Sequence, residues 1–295
     1  MPWQLLILFQ NVLAATFAIN SRKIALSFPR AALPVNILVY AVTALSGLAY
    51  AGLHGFSSVS FASVMTYGGF FFIAGLCFAL TNIISFVVFQ LVDAAIASLL
   101  STCNIIAAVI VSSIAIHESL RPHQIVGAVI IILSMELVLS LKLSQSKHKK
   151  MYQAIGLSLA ASLLFGLAVT TEKYLLNRVS LSTYLVYGWG LQFGGVLITA
   201  LILGKAAKAN FELLRNIRFY KVALPASFIR MFSGLLFIYS LKLSNNLSLV
   251  SVLSGLKVIL AALFGAYFLS ERNYLARKYE AAGLAIVGVA VIFWK

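Results

Sequence analysis

Ten apolar runs fill this chain, at roughly 3–21, 33–52, 67–89, 94–116, 123–141, 152–172, 182–203, 221–241, 246–269 and 279–294. Each approaches the ~20 residues that a helix needs to cross the hydrocarbon core of a bilayer. Backbone N–H and C=O groups find no water there, so a span must satisfy them internally, as a helix or a closed barrel. The alternating segments of a barrel are absent. Composition agrees: 62% of the residues are apolar, 10% are charged and the mean hydropathy is +1.01. Soluble domains carry roughly 25% charged residues. The expectation is an all-α membrane protein with ten transmembrane helices. MPWQLLILFQ has no basic residue before its apolar run, so it reads as the first span rather than a cleaved signal.

The chain also repeats itself. Moved forward by 153 positions, residues 93–118 land on 246–271: Ser98 meets Ser251, Ser101 meets Ser254, Ile106 meets Ile259 and Glu118 meets Glu271. At an offset of 150, Ala18 meets Ala168 and Lys23 meets Lys173; at 156, Gly127 meets Gly283. Five helices per half is an odd number, so the second half must enter the bilayer from the opposite side. The organisation expected is two inverted five-helix repeats, 1–141 and 152–295, joined by the polar linker 142–151. The segment 204–221 reads as extramembranous, with Phe211, Leu214 and Ile217 at the spacing of a short interfacial helix.

The net charge of +15 follows the positive-inside rule rather than a nucleic-acid partner. Of 22 Lys and Arg, 15 fall in the odd-numbered loops, five in the even-numbered loops and the C-terminus, and two, Arg230 and Lys257, inside spans. Odd loops are expected in the cytoplasm and both termini outside. Cys77 and Cys103 lie inside spans and give neither a disulfide framework nor metal spacing.

An ionisable group within a span costs about 2.5–3.5 kcal/mol on insertion scales, so it faces a cavity or a partner. Lys257 ends the series Ser248, Ser251, Ser254, Lys257; its repeat mate is Ser98, Ser101, Asn104. This reads as a substrate site at the pseudo-twofold centre, with Lys257 for a carboxylate or phosphate, or as an ammonium bonded to carbonyls. Arg230 reads either as a bidentate anion ligand or as one half of an internal ion pair with Glu172 or Glu136. Glu172, after Thr170 and Thr171, reads as a proton-coupling or gating carboxylate or as an interfacial ion pair. Asn11 and Asn82 are further polar groups within spans that could bond a substrate. Glu136 reads as interfacial, and Glu118 and Glu271 as acceptors for backbone N–H groups at helix starts. His54, His117, His123 and His148 read as solvated loop residues. Gly47, Gly75, Gly194, Gly195, Gly255 and Gly265 mark close helix packing. No P-loop occurs.

Two stretches, SNNLSLVSVLSGLKVILAALFGAYFLSERNYL at 244–275 and HESLRPHQIVGAVIIILS at 117–134, together with the 5 + 5 repeat, resemble the EamA-type permeases of the drug/metabolite transporter superfamily. The resemblance covers essentially the whole chain. It implies alternating access through a central cavity lined mainly by helices one, three, four, six, eight and nine. Many EamA-type sequences carry Glu-Pro where this chain has Lys257-Val258; nucleotide-sugar and triose-phosphate transporters are similar in carrying a basic residue in helix nine. External termini are similar to those of bacterial members, which implies the bacterial inner membrane.

The leading expectation is therefore a secondary transporter of a small anionic or zwitterionic metabolite, an exporter or exchanger, with the lipid bilayer as its surroundings and no cofactor, metal or nucleic acid. The alternatives are an organic-phosphate or nucleotide-sugar antiporter and, outside transport, a membrane scaffold or receptor. An enzyme is not expected: Asp93 is the single Asp, and no base lies beside a Ser or Cys in the spans.

Overall fold

The computed structural model describes residues 3–92, 94–101, 103–117, 121–139, 148–244, 246–269, 276, 280, 283–284, 286–288 and 290–291. Every element among them is helical: α1 Trp3–Ser27, α2 Ala32–His54, α3 Phe61–Leu91, α4 Ala94–Leu100, α5 Cys103–Ala115, α6 Pro122–Leu139, α7 His148–Leu176, α8 Leu181–Thr183, α9 Trp189–Phe211, α10 Ile217–Leu243, α11 Leu247–Ser254 and α12 Leu256–Phe268. Seven segments are long and apolar enough to cross a membrane. The fourth expected span is two pieces, α4 and α5; the fifth is α6; half of the tenth lies outside the described residues, as do Glu118, Glu271, residues 142–147 and the side chain of Glu136. Helix starts use local chemistry. Ser60 accepts from Ser63 N–H, Asn246 from Leu249 N–H and Asn216 from Arg218 N–H, and Pro122 opens α6.

Two sequence boundaries move. α7 already runs from His148, and α9 continues to Phe211 before a 3-10 turn at Glu212–Arg215, so 204–211 continues α9 beyond the candidate span Leu181–Leu203 and is no separate helix. Three of the four histidines, His54, His123 and His148, belong to helix ends rather than loops.

The packing falls into pairs. α3 lies along α7, and α1 along α10; α5 packs on α7, and α12 on α1; α3 meets α9, and α10 meets α2. The two interrupted helices cross, α4 against α12 and α5 against α11, and a Ser112–Ser248 hydrogen bond of 3.0 Å joins α5 to α11. Both interruptions fall near positions that correspond at the sequence offset of 153. α4 ends at Leu100 and α5 begins at Cys103; α11 ends at Ser254 and α12 begins at Leu256, 153 positions further on. Tight three-residue hydrogen bonds mark both, from Asn104 N–H to Ser101 O and from Gly255 N–H to Val252 O.

Glycine lets backbones touch where side chains would not fit. A Cβ on Gly47 would sit 2.3 Å from the Leu185 carbonyl oxygen, and one on Gly75 would sit 2.8 Å from the Leu191 carbonyl carbon. Gly195 is similarly close to Gly75, but Gly194 faces open space, so it is not a packing glycine.

The two ends of the bundle differ. Where α2 turns to α3, α7 to α8 and α10 to α11, one continuous core joins Ile7, Leu176, Tyr184, Ile238, Leu241 and Leu247. Hydrogen bonds reinforce it: Tyr239 to Tyr50, Ser180 to Ser58 O and Ser60 N–H to Thr183. The opposite end holds separate smaller clusters, around Phe86 and Phe219, around Val92 and Met151, and around Ala15 and Ala261.

Lys173 serves the closed end. It is 3% exposed, and its ammonium donates to the carbonyls of Leu241 and Ser244, the last turn of α10, which no helical N–H reaches. Lys173→Ala leaves those carbonyls buried and unbonded, an expected loss of about 1–3 kcal/mol, read as a lowered Tm in detergent.

Candidate functional site

Two chambers meet inside the bundle. The first, a cavity of about 90 Å³, lies towards the closed end between α1, α2, α3, α7, α9, α10 and the α11–α12 break; Tyr40, Glu172, Trp189 and Gln192 face it. The second, about 130 Å³, lies towards the other end; Asn82, Ser85, Ser98, Ser101 and Asn104 face it. Four residues line both: Gln10, Phe165, Arg230 and Lys257. They form the waist of one internal path.

Lys257 is the second residue of α12, just past the helix break, and Arg230 is mid-way along α10. The break explains how Lys257 reaches the path: it starts a new helix at the centre of the fold. Asn104 holds the matching place in the first turn of α5. The N-terminal ends of these two half-helices carry partial positive charge, which adds to that of the two side chains. Among the described residues, neither Arg230 nor Lys257 has an ion pair or a protein hydrogen bond; the guanidinium lies 5.9 Å from the centre of the Phe17 ring. Arg230 thus makes no internal pair with Glu172, and its charge acts on both Glu172 and Lys257 across open space. Gln10 donates to Ser233 and leaves its carbonyl oxygen buried without a partner.

Glu172 overturns the interfacial reading. α7 continues to Leu176, so Glu172 lies a turn inside the helix, 2% exposed, on the first chamber. It accepts a hydrogen bond from Tyr184. Tyr184 begins a π-helical turn, Tyr184–Gly188, whose extra residue per turn rotates the helix ahead of Trp189. Its neighbour Lys173 points elsewhere, to the end of α10.

Two of the repeated serines also bond within their own helices. Ser101 donates to Ser98 O and Ser254 to Ser251 O, the same bond in both copies, each one turn before a break. They shape the interruption. Ser98, Ser101 and Ser254 still face the chambers, but Ser251 does not, and its hydroxyl is buried without a partner. Ser254→Ala and Ser101→Ala are therefore expected to weaken ligand binding by less than about threefold, a single weak hydrogen bond, in a calorimetric titration that would show tenfold or greater losses for a true ligand group.

Asn104 and Asn82 reach the second chamber. Asn104 accepts from Ser162 at 2.7 Å, and Asn82 donates to Tyr40 and to Phe78 O. Asn11 does not line either chamber. It faces α11, where its amide donates to Leu253 O at 2.9 Å and holds α1 to the segment before the break. The residue that faces the path is its neighbour Gln10. Sequence reasoning also missed Tyr40, Trp189 and Gln192, because helices α2 and α9 were not expected at the cavity. The polar series Asn36, Tyr40, Thr43 along α2 was the available signal. No group of three His, Cys, Asp or Glu side chains that could hold a metal occurs among the described residues.

These features define an all-α fold with membrane-spanning helices around a polar path. Twenty-four chains of solved structures match it. One, described only as "Crystal structure of protein", is 16% identical, with a TM-score of 0.71 over 99% of this chain and 96% of its own. That likeness is one of fold. No family model and no curated protein matches the chain.

Proposed function

We propose that this chain is a secondary transporter that moves a small anionic or zwitterionic metabolite by alternating access. The observation that carries the reading is the waist: two cations, unpaired among the described residues, on the boundary of two chambers. A protein that only packs helices would gain nothing from two bare charges at that depth, since each costs free energy until an anion arrives. This weighs against a scaffold or receptor. The resemblance to EamA-type permeases points the same way.

Ten spans in two inverted repeats suit the paired packing, in which the largest contacts between the halves have mates: α3–α7 with α1–α10, and α4–α12 with α11–α5. In this frame the hydrogen-bonded end is the closed gate, and by the positive-inside rule it faces away from the cytoplasm of a bacterial inner membrane. The resting form is then open, or closer to opening, on the cytoplasmic side. Transport needs the Tyr50–Tyr239 and Ser58–Ser180 contacts to part while the smaller clusters at the other end merge.

An organic-phosphate or nucleotide-sugar antiporter is the second reading, favoured by the place of Lys257 in helix nine. A thermal-shift panel of amino acids, carboxylates, sugar phosphates and nucleotide sugars separates the two. A ligand at 100 times its Kd stabilises by about 2.7 kcal/mol, so the substrate class raises the Tm by several degrees. A flat response across all the anionic solutes would contradict the transporter reading.

A further inference from the structure

The waist and the first chamber together hold three formal charges: Arg230, Lys257 and Glu172. None is paired with another, although all three line one space. Glu172 is 2% exposed and uses one oxygen for Tyr184; its carboxylate is aimed at the chamber rather than at a cation of the protein. Tyr40, Trp189, Phe165 and Phe237 line the same chamber. A carboxylate in an aromatic-lined chamber is the chemistry that holds an ammonium group. Two cations a short way along the same path hold anionic oxygens.

The geometry points to a substrate that carries both signs: two units of negative charge placed on Arg230 and Lys257, and an ammonium placed on Glu172. Its net charge is −1, and its amine end points to the closed gate. An amino-dicarboxylate or a phosphorylated amine fits this pattern; a plain anion leaves Glu172 facing the chamber unpaired, and a neutral zwitterion leaves one cation bare. The inference rests on the transporter reading and narrows it: the anion site selects the class, and Glu172 selects the amine-bearing member of it.

Two matched pairs of probes test this by calorimetry on the full chain in nanodiscs: L-aspartate against succinate, and O-phosphoethanolamine against ethyl phosphate. Wild-type protein is expected to bind the amine-bearing member of each pair about tenfold tighter or more, one charge-assisted hydrogen bond. Glu172→Gln keeps an acceptor for Tyr184 and removes only the charge. It is expected to cut that preference below about threefold by weakening the amine-bearing probes alone. Tyr184→Phe keeps the charge and is expected to keep the preference, which separates ligand recognition from support of the fold. Equal binding within each pair by wild-type protein, or equal weakening of both members in Glu172→Gln, overturns the inference and leaves the anion site standing. Binding of neither member of either pair, or binding unchanged in Arg230→Ala and Lys257→Ala, removes the anion site and this inference with it.

Discussion

Lys257→Met and Arg230→Met are each expected to bind the anionic substrate about 10–100-fold more weakly and yet to unfold at a higher temperature than the wild type. The two effects have one cause. Without ligand, each cation stands inside the bundle with no pair and no protein hydrogen bond among the described residues. A Lys or Arg at a helix centre costs about 2.5–3.5 kcal/mol on insertion scales. Water in the chambers returns a share, and an expected gain of about 1–2 kcal/mol remains when the charge is replaced by an apolar chain of similar length. The like charges of Arg230 and Lys257 also repel across the waist, so removing either relieves the other. Nanodisc calorimetry gives the binding loss, and a thermal melt without ligand gives the stability gain. The opposite sign is expected at Lys173, whose ammonium is already spent on the carbonyls of Leu241 and Ser244. A fall in Tm for Lys257→Met of the size expected for Lys173→Ala would mean that Lys257 is structural.

Gly47→Leu is expected to destabilise the fold by about 3 kcal/mol, at the upper end of overpacking costs. A Cβ there would stand 2.3 Å from the oxygen and 2.9 Å from the carbon of the Leu185 carbonyl, both backbone atoms that cannot rotate aside. Leu185 lies in the π-helical turn that sets Tyr184 against Glu172. Relief of the clash must push α2 and that turn apart, so substrate binding falls along with stability. Gly190→Ala is the control: nothing lies within 4 Å of its Cβ, and no loss is expected. A melt of both variants beside the wild type checks the contrast.

Hydropathy made the helical fold legible, because lipid leaves the backbone no other way to satisfy its bonds. The correspondence at an offset of 153 paired the serines that stand before each break, but neither the breaks nor the bonds of those hydroxyls were legible. Ser98, Ser101, Ser251 and Ser254 share a helical stripe, and a stripe looks the same whether its hydroxyls face a solute or fold back on their own helix. Only Ser101 and Ser254 bonding to the i−3 carbonyls distinguishes the two. Asn11 failed for a simpler reason. In a span with no charged residue beside it, one position changes the facing direction by about 100°, and nothing in the sequence chose Asn11 over Gln10. Glu172 was misplaced because its neighbour Lys173 looked like the water boundary. A buried lysine capping another helix end cannot be told from a solvated one without the partner carbonyls. The two cations that fall inside spans, Lys257 and Arg230, both line the waist.

The proposed role of Lys257 and Arg230 is to carry the solute across. It is tested most directly by uptake of the radiolabelled anion selected in the thermal-shift panel, into proteoliposomes containing wild-type protein or Lys257→Ala at equal reconstituted amounts. Saturable uptake is expected for the wild type and, for Lys257→Ala, the rate of protein-free liposomes. Uptake by Lys257→Ala at the wild-type rate would rule that role out.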